Sequence, residues 1–360
     1  MVWIRLFFRR AGVLKLRLEC TVRRACNRFA LFCRLAFNRW RLARIRSSLR
    51  PGQKLVCIGL IEHFGDIIAC EPVARRIRED YPDDHIVWIV KPAYKEILAW
   101  HPAINGCVSV SCLTEFIRLA ERPVFDRVVD LHVNNRRCTT FGTVHRKQTG
   151  DPSITTENYY SFGSLLEAFS RGAGLPQLHD APKIFLPSAI RTRRLPVPGR
   201  PYIVIHASSN ENARDWTVEK WALLIAHLQR HFSYELVEVG LFTAFNEPPH
   251  GVHDLCGKLS LIELAEVIRR SSGFIGIDSG PAHLANASMR PSVVLLGRYR
   301  AFDWYNPYTG FLRINADEML IHCEGPVSNI SVDDVVARCL KVFADRPGPH
   351  NSDGNVDANS

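Results

Sequence analysis

Across 360 residues the chain has no C-x-x-C pair and no His/Cys cluster at ligand spacing, although it holds 11 cysteines. The odd, scattered set, including Cys57, Cys70, Cys107, Cys138, Cys256 and Cys339, falls in good part within apolar stretches. A disulfide framework or a zinc site fits this poorly, and free thiols in a reducing, cytoplasmic compartment are the expectation. No internal repeat is visible. In the N-terminal segment, arginine interrupts every apolar run before it could span a bilayer or form a secretory h-region. A basic body is lacking too. Residues 1–50 hold 14 Lys/Arg against one Glu, whereas the remainder holds 32 basic and 35 acidic residues. The formal net charge of +10 is therefore an N-terminal attachment, and the composition excludes a nucleic-acid-binding body.

What is present is enough apolar material, 46% of residues, to build two cores of ordinary size. Residues 1–50 form a basic amphipathic extension. Placed on a helix, Ile4, Phe7, Phe8, Ala11, Leu14, Leu18, Val22, Ala25, Phe29, Phe32, Ala36 and Trp40 share one stripe. Arg5, Arg9, Arg17, Arg23, Arg24, Arg28, Arg34 and Arg41 lie mostly opposite, while Lys15, Leu16 and Leu31 fall on the wrong sides. The pattern suits an anionic membrane surface. A helix packed on the protein's own body or on a partner, and an organellar targeting peptide, are the alternatives.

After Pro51-Gly52 the chain alternates strand and helix. Strands are expected at Lys54–Leu60, His85–Val90, Cys107–Val110 and Phe125–Leu131, with helices at Asp66–Asp80, Tyr94–Trp100 and Leu113–Glu121. The aperiodic polar stretch 133–156 reads as a functional or mobile loop. A helix at Tyr159–Arg171 and a strand at Lys183–Leu186 follow. Residues 191–201, with three prolines and four arginines, form the linker candidate. A second series runs through strand Tyr202–His206, helix Val218–Arg230, strand Glu235–Val239, helix Leu261–Arg270, strand Phe274–Ile277, helix Pro281–Ala287 and strand Val293–Leu296. This divides the chain into a first Rossmann-like domain at 51–190, a second at 202–325, a helix at 326–345 and a disordered tail at 346–360.

Three segments carry chemistry. GFIGIDSGPAHLANASMRPSVVLLG (273–297) puts Asp278, Ser279, Gly280 and His283 beyond the end of a buried strand, where parallel sheets bind ligands. Gly280 permits close backbone approach and Pro281 starts a helix whose free N–H groups suit phosphate. A buried strand followed by a capped helix is the alternative. KLVCIGLIEHFGDIIACEPVARRIREDYPDDHIVWIVKPAYKEILAWHPAI opens the first series, with Gly65 and Asp66 at its first turn. HASSNENARDWTVEKW (206–221) opens the second. Together these resemble glycosyltransferase family 9, the lipopolysaccharide heptosyltransferases, over roughly residues 54 to 300. The first segment matches a D-[ST]-G-x-x-H-L-A-x-A signature, and the second resembles the family's S-x-G-D turn, with His63 at the first position, and carries an A-W-H-P-A sequence.

The resemblance implies a GT-B architecture: two Rossmann-like domains with parallel sheets facing an interdomain cleft. It implies an inverting transfer of a sugar, a heptose by analogy, from a nucleotide-diphosphate donor to a hydroxyl of a lipopolysaccharide-type or other cell-surface glycan. It places the catalytic base at Asp66, which as a helix-start carboxylate is otherwise a cap. Ser208, Ser209 and the backbone around Asn210 are candidates for the diphosphate, with Arg214 and His283 stabilising it as it leaves and Asp278 binding ribose or orienting the loop. Asp278, Ser279 and Gly280 complete the donor site. His63 and Glu247 are further candidates, for the acceptor or Asp66 and for ribose respectively. Trp216 and Trp221 are expected as core anchors, and the five aromatics of 299–308 as sugar packing or as a seam between domains. His63, Arg214 and Thr217 depart from the family pattern, where a small hydroxyl residue, Lys and Pro are expected. No cofactor and no metal are expected, and the N-terminal helix would hold the protein on the inner face of the cytoplasmic membrane. The rival readings are an inactive membrane-associated scaffold of the same fold and a sugar-nucleotide epimerase or hydrolase.

Overall fold

The computed structural model describes residues 2–209 and 211–343, without the side chains of 2–21, 23, 24 and 212. The expected tail at 346–360 and the Asn210 backbone lie outside the described residues. A long helix, α1 (Val2–Ser47), precedes the first sheet. That sheet is built from β1 (Leu55–Gly59), β2 (His85–Val90), β3 (Gly106–Ser109) and β4 (Arg127–Asp130), parallel throughout in the order β3-β2-β1-β4. Val56 pairs with Ile86 on one side and with Arg127 on the other. Helices α2 (Phe64–Ala69), α3 (Pro72–Asp80), α4 (Lys95–Leu98) and α5 (Leu113–Ala120) connect the strands.

Two further helices, α6 (Leu165–Gly172) and α7 (Ser188–Thr192), lead to the second sheet. Its elements are β5 (Tyr202–His206), α8 (Val218–His231), β6 (Glu235–Glu238), β7 (Val252–Asp254), α9 (Leu261–Arg270), β8 (Gly273–Ile277), α10 (Gly280–Ala287) and β9 (Ser292–Leu296). It closes with α11 (Phe311–Ile314), α12 (Ala316–Met319), β10 (Leu320–His322) and α13 (Val332–Phe343). The strand order is β10-β9-β8-β5-β6-β7, again all parallel. Two doubly wound α/β lobes of this kind make the GT-B architecture. In each lobe the strand order reverses beside the first strand, between β1 and β4 and between β5 and β8. The chain leaving β1, β5 and β8 therefore enters the crevices where such sheets bind ligands.

Several local expectations need correction. The stretch Lys183–Leu186 joins no sheet, because Lys183 N–H donates instead to the buried Glu71 carboxylate at 2.8 Å. The expected helix Asp66–Asp80 is two helices, broken at Cys70 and Glu71 where Pro72 opens α3. The expected helix Tyr159–Arg171 begins as a 3₁₀ turn at Tyr159–Phe162 before Ser164 caps α6. The loop 133–156 is tied down: Lys147 Nζ donates to the carbonyls of Asp130 and Gly172 at 2.8 and 2.6 Å. Burial lowers the Lys147 pKa to about 8.

The N-terminal helix has two faces. Leu31, Leu35, Asn38 and Leu42 turn inward and pack with Leu55, Cys57, Val87, Ile89 and Phe116 on the outer face of the first sheet. Buried Glu115 of α5 clasps this stripe, accepting from Asn38 Nδ2 at 3.0 Å and Arg34 Nε at 3.1 Å. Arg41 donates to the Cys107 carbonyl and Arg46 pairs with Asp126. Val22, Ala25, Phe29, Phe32, Ala36 and Trp40 form the nearly opposite stripe and stay exposed. Packing on the body thus uses the side where Leu31 looked misplaced and leaves the expected apolar stripe bare from Val22 to Trp40. Glu115→Ala would leave Asn38, Ser111 and Arg34 without their shared acceptor. It is expected to cost about 2–4 kcal/mol in urea unfolding of the full chain, and a change below about 0.5 kcal/mol would show the clasp to be idle.

Candidate functional site

The site forms where the ends of the two sheets face each other. Beyond β1, the Glu62–His63 peptide is cis and α2 begins at Phe64. Asp66 sits in the first turn, half-buried, and one carboxylate oxygen accepts the His63 N–H at 3.1 Å. The capping role is therefore real, and it uses one oxygen. The His63 ring is exposed at the rim. Glu62 beside it is held by Lys91 and, at 3.6 Å, by Arg136.

Helix α10 of the second lobe meets α2 here. A Cβ on Gly65 would lie 2.7 Å from His283 Cδ2 and 3.4 Å from Gly280 Cα, and a Cβ on Gly280 would collide with the Phe64 ring. Only glycines on both sides allow this approach. His283 is buried, its Nδ1 has no hydrogen-bond partner, and its Nε2 lies 4.0 Å from Asp278 Oδ1. Burial lowers its pKa more than the nearby Asp278 and Asp66 charges raise it, so the imidazole is neutral at pH 7.

The loop after β5 supplies the cation. Arg214 Nη1 donates to the Asp278 carbonyl at 3.2 Å, and its guanidinium lies over the Tyr299 ring at 4.9 Å. Burial would lower the Arg214 pKa, but the Asp278 carboxylate and surrounding tyrosines outweigh it and keep the charge. Ser208 Oγ donates to the Phe242 carbonyl at 3.3 Å, and Ser209 Oγ donates to the Glu211 carbonyl while accepting its N–H. The Ser209 hydroxyl is thus spent on its own turn. Thr217, standing where proline was expected, caps α8 by accepting from Lys220 N–H. Trp216 and Trp221 are buried and packed edge to face, as core anchors.

Asp278 was expected to bind ribose or to orient the loop. Tyr305 Oη and Tyr308 Oη donate to its two oxygens, each at 2.9 Å, so each oxygen accepts a hydrogen bond inside the lobe. In this arrangement the carboxylate orients the 299–308 loop rather than facing a ribose. Ser279 Oγ donates to the Ile277 carbonyl at 3.1 Å, and Gly280 opens α10. Glu247 is exposed on the loop beyond β6. The aromatics of 299–308 form a seam with the first lobe: Phe302 packs on Tyr159 and Tyr160, each at 5.1 Å, and Tyr305 on Tyr160 at 4.6 Å. Tyr305 and Tyr308 were visible only as members of an aromatic-rich loop. No spacing rule couples them to an aspartate 27 or 30 residues earlier.

Among the described residues, two groups have the composition of metal ligands: Asp130, His132 and His145, and Glu238, Asp254 and Cys256. In the first, Ile61 N–H donates to His132 Nε2 at 3.2 Å, which assigns the ring proton to Nδ1, 2.8 Å from Asp130 Oδ1. That ring has no lone pair left for a cation. His145 Nε2 is 2.7 Å from Asp130 Oδ2 but off the hydrogen-bond direction. Burial alone would raise the Asp130 pKa, and the two imidazoles hold it well below the usual carboxylate range. In the second group Glu238 accepts from Thr243 Oγ1 and Ala244 N–H, and Asp254 accepts from Cys256 N–H and Lys258 Nζ. The carboxylates of the second group are satisfied by hydrogen bonds, whereas both ring nitrogens of buried His145 in the first lack a hydrogen-bond partner.

The model of glycosyltransferase family 9 (heptosyltransferase) matches residues 164–310. The autotransporter heptosyltransferase Aah of Escherichia coli is 29% identical over 239 residues, which are 60% of this chain and 58% of that protein. Less than two thirds of that relative is therefore spanned. Lipopolysaccharide heptosyltransferase 3 of Escherichia coli is 24% identical over 67% of this chain and 82% of its own length. The solved structure of the Escherichia coli ADP-heptose lps heptosyltransferase II superposes with a TM-score of 0.59 at 16% identity, covering 81% of this chain and 99% of that one. That likeness is one of fold. The glycine contact is open to direct test. Gly280→Ala should cost about 1–3 kcal/mol by displacing Phe64, read as a lower Tm, and Phe64→Ala in the same chain should recover part of it. Equal Tm values for Gly280→Ala and the parent would mean that α2 and α10 do not meet this closely in solution.

Proposed function

We propose that this chain, a family 9 heptosyltransferase-like protein, is an inverting glycosyltransferase that moves a sugar, by analogy a heptose, from a nucleoside-diphosphate donor to a hydroxyl of a cell-surface glycan of lipopolysaccharide type. The observation that carries the reading is the convergence of Asp66, Arg214 and His283 from opposite lobes on the ends of α2 and α10. The acceptor hydroxyl gives its proton to the Asp66 oxygen that does not cap α2. The acceptor oxygen then attacks the anomeric carbon, and the bond to the diphosphate breaks with its electron pair leaving on phosphate. One displacement inverts the anomeric centre. Arg214 and the free N–H groups at the start of α10 stabilise the leaving charge without a metal, and the neutral His283 ring offers an N–H to a phosphate oxygen. Because α2 and α10 touch, the donor enters as the two helices part.

The exposed face of α1 supports attachment to an anionic membrane surface on the cytoplasmic side. Phe29 is 70% exposed, Phe32 68% and Trp40 55%, all on the side away from the body, with Arg28 and Arg44 flanking them. Each such side chain entering the headgroup boundary contributes about 2 kcal/mol, and each arginine near anionic lipid about 1 kcal/mol. Among the described residues no helix is long and apolar enough to cross a membrane.

Asp66→Asn should lower sugar transfer at least about a hundredfold while leaving the dissociation constant for the nucleoside diphosphate within about twofold. Transfer at the parent rate would remove Asp66 as the base. For the membrane, the intact chain should sediment with phosphatidylglycerol vesicles, and the triple substitution of Phe29, Phe32 and Trp40 by Ser should release it. Sedimentation that persists in the triple variant would overturn the assignment of this face.

A further inference from the structure

The buried carboxylate of the α10 motif is held by two hydroxyls of the 299–308 loop. Asp278 is 6% exposed, with Tyr305 Oη on Oδ2 and Tyr308 Oη on Oδ1, both at 2.9 Å. Arg214 Nη1 stands 4.0 Å from Oδ2 while it donates to the Asp278 carbonyl at 3.2 Å. A guanidinium and a carboxylate this close ordinarily settle into a paired, charge-assisted contact at about 2.8 Å. Here both carboxylate oxygens already accept from phenols. Burial raises the pKa of both tyrosines well above the ordinary value, and the Asp278 charge raises it further, so each remains a donor.

We propose that Tyr305 and Tyr308 are positioning residues for donor binding: by occupying Asp278 they hold it back from a direct ion pair and keep the Arg214 guanidinium directed at the diphosphate of a nucleoside-diphosphate ligand. The inference rests on the glycosyltransferase reading above. Losing one phenol frees a carboxylate oxygen in a dry site, and the nearest cation able to answer it is Arg214. The pair that then closes draws charge away from the ligand. Tyr305 also packs on Tyr160 of the first lobe, so the seam between lobes and the placement of Arg214 share one side chain. Its ring serves the seam and its hydroxyl serves Asp278, which lets a Phe substitution separate the two.

Calorimetric titration of the full chain with ADP, GDP, UDP and CDP first identifies the diphosphate that binds. Tyr305→Phe and Tyr308→Phe should each weaken that ligand about tenfold, with Tm within a few degrees of the parent. In an Asp278→Asn background, Tyr305→Phe should add less than about twofold, because the ionised acceptor it acts through is gone. A mere packing role would instead give losses that add. Unchanged affinity in both Phe variants, or additive losses in the double variant, overturns the positioning role and leaves the glycosyltransferase reading standing. A parent chain that binds none of the four nucleotides overturns that reading and this inference with it.

Discussion

The approach of α2 to α10 is the constraint on which the rest of the site depends. Two doubly wound sheets each direct their strand ends at the other, but strand ends alone do not bring a carboxylate and an imidazole together. Side chains at positions 65 and 280 would hold the helices apart, since a Cβ at either would overlap His283 or Phe64. With glycine at both, Asp66 of one lobe and His283 of the other share one crevice. The charges of Asp66 and Asp278 both act on the His283 ring, yet burial dominates and leaves it neutral.

Around that contact, buried charge is handled by one recurring device. Asp278, Glu115 and Glu71 are all buried, and each gathers donors from distant parts of the chain. A carboxylate taken from water without partners costs several kcal/mol, so each acts as a fixed point on which separate elements must agree. Glu115 joins α1 to the first sheet, Glu71 fixes the chain leading toward the linker, and Asp278 orders the loop that seals the lobes. The same loop places Tyr299 beneath Arg214. The seam between the lobes and the placement of Arg214 therefore draw on overlapping residues.

The terminal helix shows how pattern and packing diverge. The stripe from Val22 to Trp40 is the more apolar one, and its pattern suited a membrane surface or, as the alternative, the protein's own body. The body instead takes Leu31, Leu35, Asn38 and Leu42, because Glu115 offers an acceptor that Asn38 and Arg34 can reach. A polar clasp with a narrow leucine seam outcompetes a broader apolar face that finds no groove. Arg34 and Arg41, two of the arginines placed opposite the apolar stripe, are spent on this docking together with Arg46. The bare stripe is consequently aimed outward by the fold itself.

Much of this was legible beforehand. The alternation of apolar strands with helices determined two parallel α/β units, since buried parallel strands read as unbroken apolar runs. The placement of Asp66, Arg214, Asp278 and His283 at strand ends followed from the same alternation. The extended segment at 183–186 misled, because its apolar content serves packing and its N–H serves Glu71. A seam at 299–308 was one of two alternatives, but its partners Tyr159 and Tyr160 and the hydrogen bonds of Tyr305 and Tyr308 to Asp278 were not legible, as contacts between distant loops leave no period in the chain. The sequence by itself determined which residues stand at the ends of strands, a matter of local periodicity. Only tertiary structure decided which of them face each other and which face of α1 is left bare, because those outcomes depend on the fit between surfaces far apart along the chain.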